Sequence, residues 1–275
     1  MKNQGEKIKG TIKTNMTLMD TPLMSILPGQ ISFFVILSII PLMSILIMII
    51  SKLSFSFDSV TNFISHYLPA GATNVVLSII EQQKAGAIDF LFIVTALYLA
   101  SKATHSIIVA STQIYNGKQT GFLRTRVKAI IMLIIIIILA VLTIGVFTLG
   151  SKIINYIVET NGTISPIINV VYKMLRWPFV IFMIFLAVKI MYTISPNVNI
   201  PSKTVNKGAV FTTLVCSLST YGYSFYVTNI ANYTKFYGNL SNIIILMIWI
   251  YWLCYIFVYG MTLNEYHLTN KNSDE

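Results

Sequence analysis

Acidic residues are scarce in this sequence, and charged residues of either sign are rarer than in soluble proteins. The 275 residues include 9 Asp and Glu, 19 Lys and Arg, and 3 His, so Asp, Glu, Lys and Arg make up 10% of the chain. Soluble domains carry roughly 25% of these residues. The three histidines stand alone, and we find no HExxH sequence, Walker loop or nucleophile elbow. Because metal-dependent and acid–base catalysis need clustered acids or histidines, we expect no enzyme, no metal site and no other cofactor.

Cysteine is also rare, with only Cys216 and Cys254 in the chain. Both lie inside apolar runs and have no neighbours that are typical of a metal site. We expect buried free thiols, which indicate nothing about the redox compartment.

What the sequence has in quantity is long runs of apolar residues. The 31 residues from Thr21 to Ser51 contain no Asp, Glu, Lys or Arg. An α-helix needs about 20 mostly apolar residues to cross the core of a bilayer. Runs of this kind predict an all-α integral membrane protein with six transmembrane helices, near residues 29–51, 88–113, 129–150, 174–194, 208–230 and 239–263. This divides the chain into an N-terminal arm (1–28), a membrane domain (29–267) and a C-terminal tail (268–275).

The basic residues predict the orientation of these spans. The net charge of +10 would favour a nucleic-acid partner in a soluble chain, but here the basic residues lie mostly between apolar runs. We therefore interpret them as a topology signal and expect no nucleic acid as a partner. With six spans, one side of the membrane carries 11 basic residues and the other carries 6. Both termini are then predicted to be cytoplasmic.

The connection after the first span has a helical pattern of its own. Its apolar residues recur at spacings of three and four, at Val60, Phe63, Ile64, Tyr67 and Leu68. Pro69 breaks this stripe, and Thr73 or Asn74 is predicted to cap a second short helix that continues through Ile80. We expect two short amphipathic helices on the outer membrane interface.

Polar residues within the apolar spans are candidates for function, because they are costly in hydrocarbon and usually face a cavity or the protein interior. In the second span, Tyr98, Lys102 and His105 fall on one helical face. An ammonium group near the middle of the membrane needs a partner, and Asp89 projects from roughly the opposite side of the same helix. Either Lys102 binds an anionic ligand, or its side chain extends towards polar groups on neighbouring helices.

The fifth span carries a narrow stripe of hydroxyl groups at spacings of three and four, formed by Thr213, Ser217, Thr220, Ser224 and Thr228. This stripe either lines a pathway for a polar group or allows close packing between helices. Asparagines at the junction of the fifth and sixth spans favour hydrogen bonds between those two helices over the alternative of substrate binding, at Asn229, Asn232, Asn239 and Asn242.

Several short motifs have an order and spacing that resemble a known family. Pro41 ends a Ser-Ile-Ile-Pro stretch, Pro196-Asn197 follows the fourth span, and Gly208 opens the fifth. Later positions in the same pattern are Tyr237, Gly238, Trp249, Gly260 and Asn264. Together they resemble the YihY/BrkB family of bacterial inner-membrane proteins, formerly misnamed ribonuclease BN. The resemblance implies six helices in a bacterial plasma membrane, in a family known mainly as predicted transporters or envelope-linked proteins.

The chain also departs from that family. Cys216 stands where a tryptophan is usual, and Thr262 stands where the family has a glutamate. No role that needs this carboxylate can be transferred to the present chain.

Two functional hypotheses remain, with membrane lipids as partners in both and an oligomer compatible with either. The first is a protein that moves or holds an anionic amphiphile, such as a lipid or an envelope precursor, with Lys102 as its charged anchor. The second is a scaffold or assembly factor for envelope enzymes, whose basic segment 118–128 binds lipid or a protein. A third, RNA cleavage, lacks the paired acids or histidines that its chemistry needs.

Overall fold

A computed structural model of the chain describes residues 22–52, 57–83, 90–160, 165–230 and 237–273. Within these residues the regular secondary structure is helical. The eight α-helices described are α1 (Pro22–Lys52), α2 (Phe57–Tyr67), α3 (Ala70–Gln83), α4 (Phe90–Ile114), α5 (Phe122–Thr160), α6 (Ser165–Ile194), α7 (Asn206–Asn229) and α8 (Ser241–Ser273). A short 3₁₀ helix, Gly238–Leu240, leads into α8.

Five helices of the described chain are long and apolar enough to cross a membrane, which confirms the all-helical membrane class. Their apolar stretches are Pro22–Ile50, Ile93–Ile114, Phe122–Gly150, Met174–Ile194 and Ser241–Thr269. The remaining long helix, α7, has 24 residues and covers the predicted fifth span. Its many Ser, Thr and Gly residues lower its hydropathy, so the count of six spans stays a prediction.

The helices extend beyond the apolar runs that predict them. Helix α1 begins at Pro22 rather than near residue 29, α5 covers 122–160 rather than 129–150, and α8 continues to Ser273. An apolar run identifies only the part of a helix that can lie in the hydrocarbon core of the membrane. The backbone hydrogen bonds of a helix continue wherever the local sequence allows them, on either side of that part.

Two short helices, α2 and α3, occupy the segment after α1. Val60 and Ile64 from α2 and Val76 and Ile80 from α3 pack into one buried cluster with the end of α1 and with Ile144. The predicted cap at Thr73 or Asn74 is wrong, because α3 already begins at Ala70. Thr73 lies in its first turn, where the backbone N–H donates to the carbonyl of Pro69 at 2.9 Å.

The long helices form one packed bundle. Helix α4 packs against α1 and α5, α8 packs against α1 and α7, and α6 lies between α5 and α7. The largest buried cluster draws residues from all six long helices, including Leu27, Ile108, Met132, Tyr192, Ala209 and Val258. As a result, α4 and α7, the two helices with the predicted polar faces, have different main neighbours.

Candidate functional site

The side chains on the polar face of α4 differ in how far they are buried. Tyr98 is 47% exposed, Lys102 and His105 are half-buried, and Ser106 is buried. The Lys102 ammonium lies 6.0 Å from the centroid of the Tyr98 ring, too far for a strong contact. The face predicted from the sequence therefore lies partly at the surface of the bundle and partly against α5.

A second cation, Arg126 of α5, lies against this face. Its guanidinium carbon is 3.9 Å from the centroid of the Tyr98 ring, and its Nη2 donates to the carbonyl of Tyr98 at 3.3 Å. The side chain is only 9% exposed, and its Nε has no hydrogen-bond partner in the described part of the chain. Arg126 is also within electrostatic range of His105. We call Tyr98, Lys102, His105 and Arg126 the cationic cluster.

Among the described residues, no carboxylate is a hydrogen-bond partner of Arg126. Glu265 lies near the end of α8, accepts a hydrogen bond from Thr269 at 2.9 Å and interacts electrostatically with Tyr115. Along α4, the separation between Tyr115 and Lys102 corresponds to about 20 Å. Asp89 lies outside the described residues. The contacts that the structure gives Arg126 are thus with an aromatic ring and a carbonyl, neither of which neutralises its charge.

Two of the five hydroxyls in the stripe of α7 form hydrogen bonds within the bundle. The hydroxyl of Thr213 donates to the carbonyl of Ala209 at 2.8 Å, and the indole N–H of Trp249 donates to Thr220 at 3.3 Å. Ser217 Oγ is buried without a partner among the described residues, Ser224 is half-buried, and Thr228 is exposed. Because α7 packs on α6 and α8, the structure does not bring this stripe together with Lys102.

Lys128 binds the Ser-Pro-Asn motif that follows α6. Its ammonium donates to the carbonyls of Ser195 at 2.9 Å and Pro196 at 2.7 Å, and to Asn197 Oδ1 at 3.0 Å. These carbonyls lie just beyond the carboxyl end of α6, where a positive charge is stabilised by the helix dipole. Asn197 also donates to the hydroxyl of Thr120 at 3.3 Å. We call this arrangement of Lys128 with residues 195–197 the α6 cap.

The two motif glycines mark the point where α7 and α8 cross. A Cβ atom on Gly208 would overlap the carbonyl oxygen of Gly260, and one on Gly260 would overlap Thr212 Oγ1. Asn264 reinforces the crossing, since its Oδ1 accepts from the N–H of Gly208 at 2.8 Å and its Nδ2 donates to the carbonyl of Val205 at 3.2 Å. These positions of the family pattern therefore serve helix packing.

Tyr192 connects the same crossing to α6. Its buried hydroxyl lies 2.7 Å from Thr212 Oγ1 and donates to the carbonyl of Phe257 at 2.7 Å. Thr262, which stands in place of the family's glutamate, is buried and donates to the carbonyl of Val258 at 3.1 Å. A neutral hydroxyl can bond in this way within its own helix, whereas a carboxylate at this position would need a further partner.

The other motif positions have separate surroundings. Pro41 is buried inside α1, and the hydroxyls of Ser38 and Ser44 on either side donate to helix carbonyls at 2.7 and 2.8 Å. Tyr237 is exposed, and Gly238 has a φ of +53°, a conformation that favours glycine. Asn229 donates to the carbonyl of Phe225 in its own helix at 2.8 Å, rather than across to α8 as predicted. Asn232 lies outside the described residues.

A group of aromatic side chains lies beside Arg176 where α2, α5 and α6 meet. The guanidinium lies 3.2 Å from the centroid of the Phe147 ring, and the Trp177 ring is 5.0 Å from Tyr67 and 5.3 Å from His66. Neither the approach of Arg176 to Phe147 nor the partners of Trp177 could be predicted from the sequence, because these residues are far apart along the chain.

His66 in this group gives a testable dependence on pH. Its pKa is lowered from the usual 6.5, first by partial burial and second by the charge of Arg176. The folded chain therefore binds fewer protons than the unfolded chain just below pH 6.5, so stability falls as the pH drops through the folded pKa. We expect the NMR signals of the His66 ring to titrate with a midpoint below 6.5, and the midpoint to rise in Arg176→Gln.

Lys189→Gln is the matched control, because Lys189 lies on the same helix about 20 Å away along its axis. It should leave the midpoint of His66 unchanged. A midpoint at or above 6.5 in the wild type would contradict the prediction.

These features define a class of protein: a helical, multi-pass membrane protein with basic side chains inside its bundle. The chain matches the family model described as "Virulence factor BrkB" over residues 22–275, and it belongs to that family. No solved structure matches it.

Three relatives illustrate the family. The chain is 30% identical over 257 residues to "Putative ribonuclease-like protein YfkH" of Bacillus subtilis (strain 168), covering 90% of this chain and 91% of that protein. It is 29% identical over 245 residues to a UPF0761 membrane protein of Vibrio vulnificus (strain YJ016), covering 84% and 73%. It is 26% identical over 190 residues to "UPF0761 membrane protein YihY" of Salmonella typhimurium, covering 66% and 60%. The resemblance seen in the sequence motifs is confirmed.

Two residues of the site, Arg126 and Lys128, are recognised in the sequence only as basic residues of the segment 118–128. The signal that could have revealed them is their spacing. Arg124, Arg126 and Lys128 alternate, and in a helix two residues turn the side chain by about 200°. If α5 begins before these residues, Arg126 must project from the face of the helix opposite to Arg124 and Lys128. Because one face of α5 packs against the bundle, the side chains on that face must be buried.

Proposed function

We propose that this protein holds or moves an anionic amphiphile in a bacterial plasma membrane, with Arg126 and Lys102 as its charged anchors. The observation that carries the proposal is the buried guanidinium of Arg126. One of its N–H groups has no partner in the described part of the chain. The Tyr98 ring that the guanidinium contacts lies 6.0 Å from the ammonium of the half-buried Lys102. Leaving a buried charged donor unpaired is costly, and an anionic ligand would provide the missing acceptor.

The surroundings of the cluster suit an amphiphile better than a small ion. The Tyr98 ring is exposed at the surface of α4, and its neighbours Val94 and Leu99 are exposed as well. An apolar chain could lie along this surface while a phosphate or carboxylate reaches Arg126 and Lys102. The partner we infer is a lipid or an envelope precursor with an anionic headgroup.

The proposal includes the finer architecture. We infer that α7 crosses the membrane as the fifth of six spans, that both termini are cytoplasmic, and that α2 and α3 lie near the outer face. Because the sequence has no ATP-binding motif, any movement of substrate would be downhill or coupled to ions. The scarcity of acidic residues within the spans gives ion coupling little support.

The test is the movement of headgroup-labelled phosphatidylglycerol across the membrane of liposomes that contain the purified protein. We expect the wild type to accelerate movement over empty liposomes, and Arg126→Gln or Lys102→Gln to reduce the added rate at least about tenfold. This factor corresponds to the loss of one charge-assisted hydrogen bond of about 1.5 kcal/mol.

Lys189→Gln provides a matched control, because Lys189 is another half-buried lysine within a span, on α6. It should keep the wild-type rate. If folded wild-type protein does no better than empty liposomes, the transport version of the proposal fails. If all three variants lose the same fraction of the rate, the cluster has no special role.

The second candidate is a scaffold or assembly factor for envelope enzymes. It is favoured by the hydroxyl stripe of α7, where Thr213 and Thr220 are engaged within the bundle. Hydroxyls that are engaged in this way serve packing rather than a pathway. Specific capture of an envelope enzyme, combined with no lipid movement in liposomes, would support this function over transport. RNA cleavage has no comparable support, since the described residues contain no group of three His, Cys, Asp or Glu that could hold a metal.

A further inference from the structure

An open groove lies between the start of α5 and the end of α6. Its volume is about 530 Å³, and it is lined by Leu123, Arg124, Val127, Lys128, Ile131 and Ile194. Four of these six side chains are apolar and two are basic. An acyl chain could therefore contact the groove along most of its length, beside a localised positive charge.

The groove is separate from the cationic cluster, although both involve α5. Its α5 residues recur at spacings of three and four and so form one stripe on the helix. Arg126 projects about 200° away from Arg124, towards α4. A ligand in the groove is thus independent of the ligand proposed for the cluster, and neither proposal depends on the other.

The charge in the groove is not offset by an acid nearby. The first turn of α5 contains no acidic residue, and Arg124 and Lys128 are close enough to interact electrostatically. The three ammonium protons of Lys128 are already donated to the α6 cap. The positive charge of Lys128 still acts on the groove. Arg124 is exposed, and its N–H groups can donate to a ligand. The amino end of α5 adds further positive potential.

We propose that this groove binds an anionic phospholipid of the surrounding leaflet as a resident lipid. The phosphate would contact Arg124, and an acyl chain would lie over Val127, Ile131 and Ile194. The location favours this occupant, since the groove lies at the end of the apolar stretch Phe122–Gly150, at the level expected for headgroups. Basic residues next to a membrane span attract anionic lipids.

Such a lipid would stabilise the contact between α5 and α6. It would touch both helices next to the α6 cap, and any ligand that binds the folded state alone raises stability. Bound phosphatidylglycerol should therefore raise the temperature of unfolding, and a zwitterionic lipid with the same acyl chains should raise it less.

The experiment uses the full chain, purified in a neutral detergent and titrated with phosphatidylglycerol or phosphatidylcholine. Binding is followed by native mass spectrometry, and unfolding by circular dichroism. We expect the wild type to prefer phosphatidylglycerol, and Arg124→Gln to weaken its binding about fivefold. Because Arg124 is exposed, Arg124→Gln should unfold at the wild-type temperature in the absence of lipid.

Lys118→Gln is the matched control. Lys118 is an exposed basic residue of the turn before α5 and does not line the groove. This variant should keep the wild-type affinity. Equal binding of the two lipids by the wild type would overturn the proposal. So would loss of binding in Arg126→Gln but not in Arg124→Gln, because the lipid would then occupy the cationic cluster.

Discussion

Replacing Gly208 with alanine is expected to lower the free energy of unfolding by about 3 kcal/mol, the upper part of the range for overpacking a buried contact. The added Cβ would overlap the carbonyl oxygen of Gly260 and the amide group of Asn264. The carbonyl belongs to the backbone of α8 and cannot rotate away. Moving the helices apart would break the hydrogen bond from the Gly208 N–H to Asn264, leaving a buried amide without its partner.

The same helix offers the control. Gly222 also lies in α7, but a Cβ atom there would meet no atom within 4 Å. Gly222→Ala should be neutral, or stabilising by up to about 1 kcal/mol through higher helix propensity. The measurement is reversible unfolding of both variants in mixed micelles, followed by circular dichroism. Equal losses of stability in the two variants would contradict a specific contact at Gly208.

The positions of the helices could be predicted because an apolar run is a local feature of the sequence. The stretch from Ile130 to Leu142 lies inside α5, as its composition indicates. The ends of the helices were less predictable, since a helix does not stop where the hydrocarbon stops. Helix α7 also corresponds to a predicted span, 208–230, although its many Ser, Thr and Gly residues lower its hydropathy.

The candidate site could be predicted only in part. The face of α4 with Lys102 followed from helical periodicity, but its neighbour Arg126 lies on another helix. The direction of the Arg126 side chain depends on residues 122–128 being helical, whereas their charges alone are equally typical of a loop between spans. The contact between Lys128 and Ser195 spans 67 positions in the sequence, and neither residue type nor spacing reveals such a pair.

The period of the hydroxyl stripe on α7 was clear from the sequence, but its surroundings were not. Thr213 bonds to its own helix, and Thr220 accepts from Trp249. Periodicity identifies which residues share a face, whereas the packing of the whole bundle decides whether that face meets a cavity or another helix.

Replacing Lys128 with methionine should cost about 2–3 kcal/mol of stability, although methionine has a similar length and suits a membrane helix. The wild-type ammonium satisfies two backbone carbonyls and one side-chain amide oxygen beyond α6. Hydrogen bonds that involve a charged group contribute about 1.5–3 kcal/mol each, and acceptors that lose them at a partly buried site are not fully compensated by water. Unfolding in mixed micelles measures the loss.

Two further variants distinguish the loss of the hydrogen bonds in the α6 cap from the loss of a positive charge in general. Lys203→Met removes an exposed lysine a few residues beyond the same cap and should be nearly neutral. Asn197→Ala removes one of the three acceptors of Lys128, together with the longer hydrogen bond to Thr120, and should cost about 1 kcal/mol. A graded series, with the largest loss at Lys128, would mean that its ammonium holds the end of α6 against α5. If Lys128→Met were as stable as Lys203→Met, the Ser-Pro-Asn turn would be stable by itself, and another reason for that motif would have to be sought.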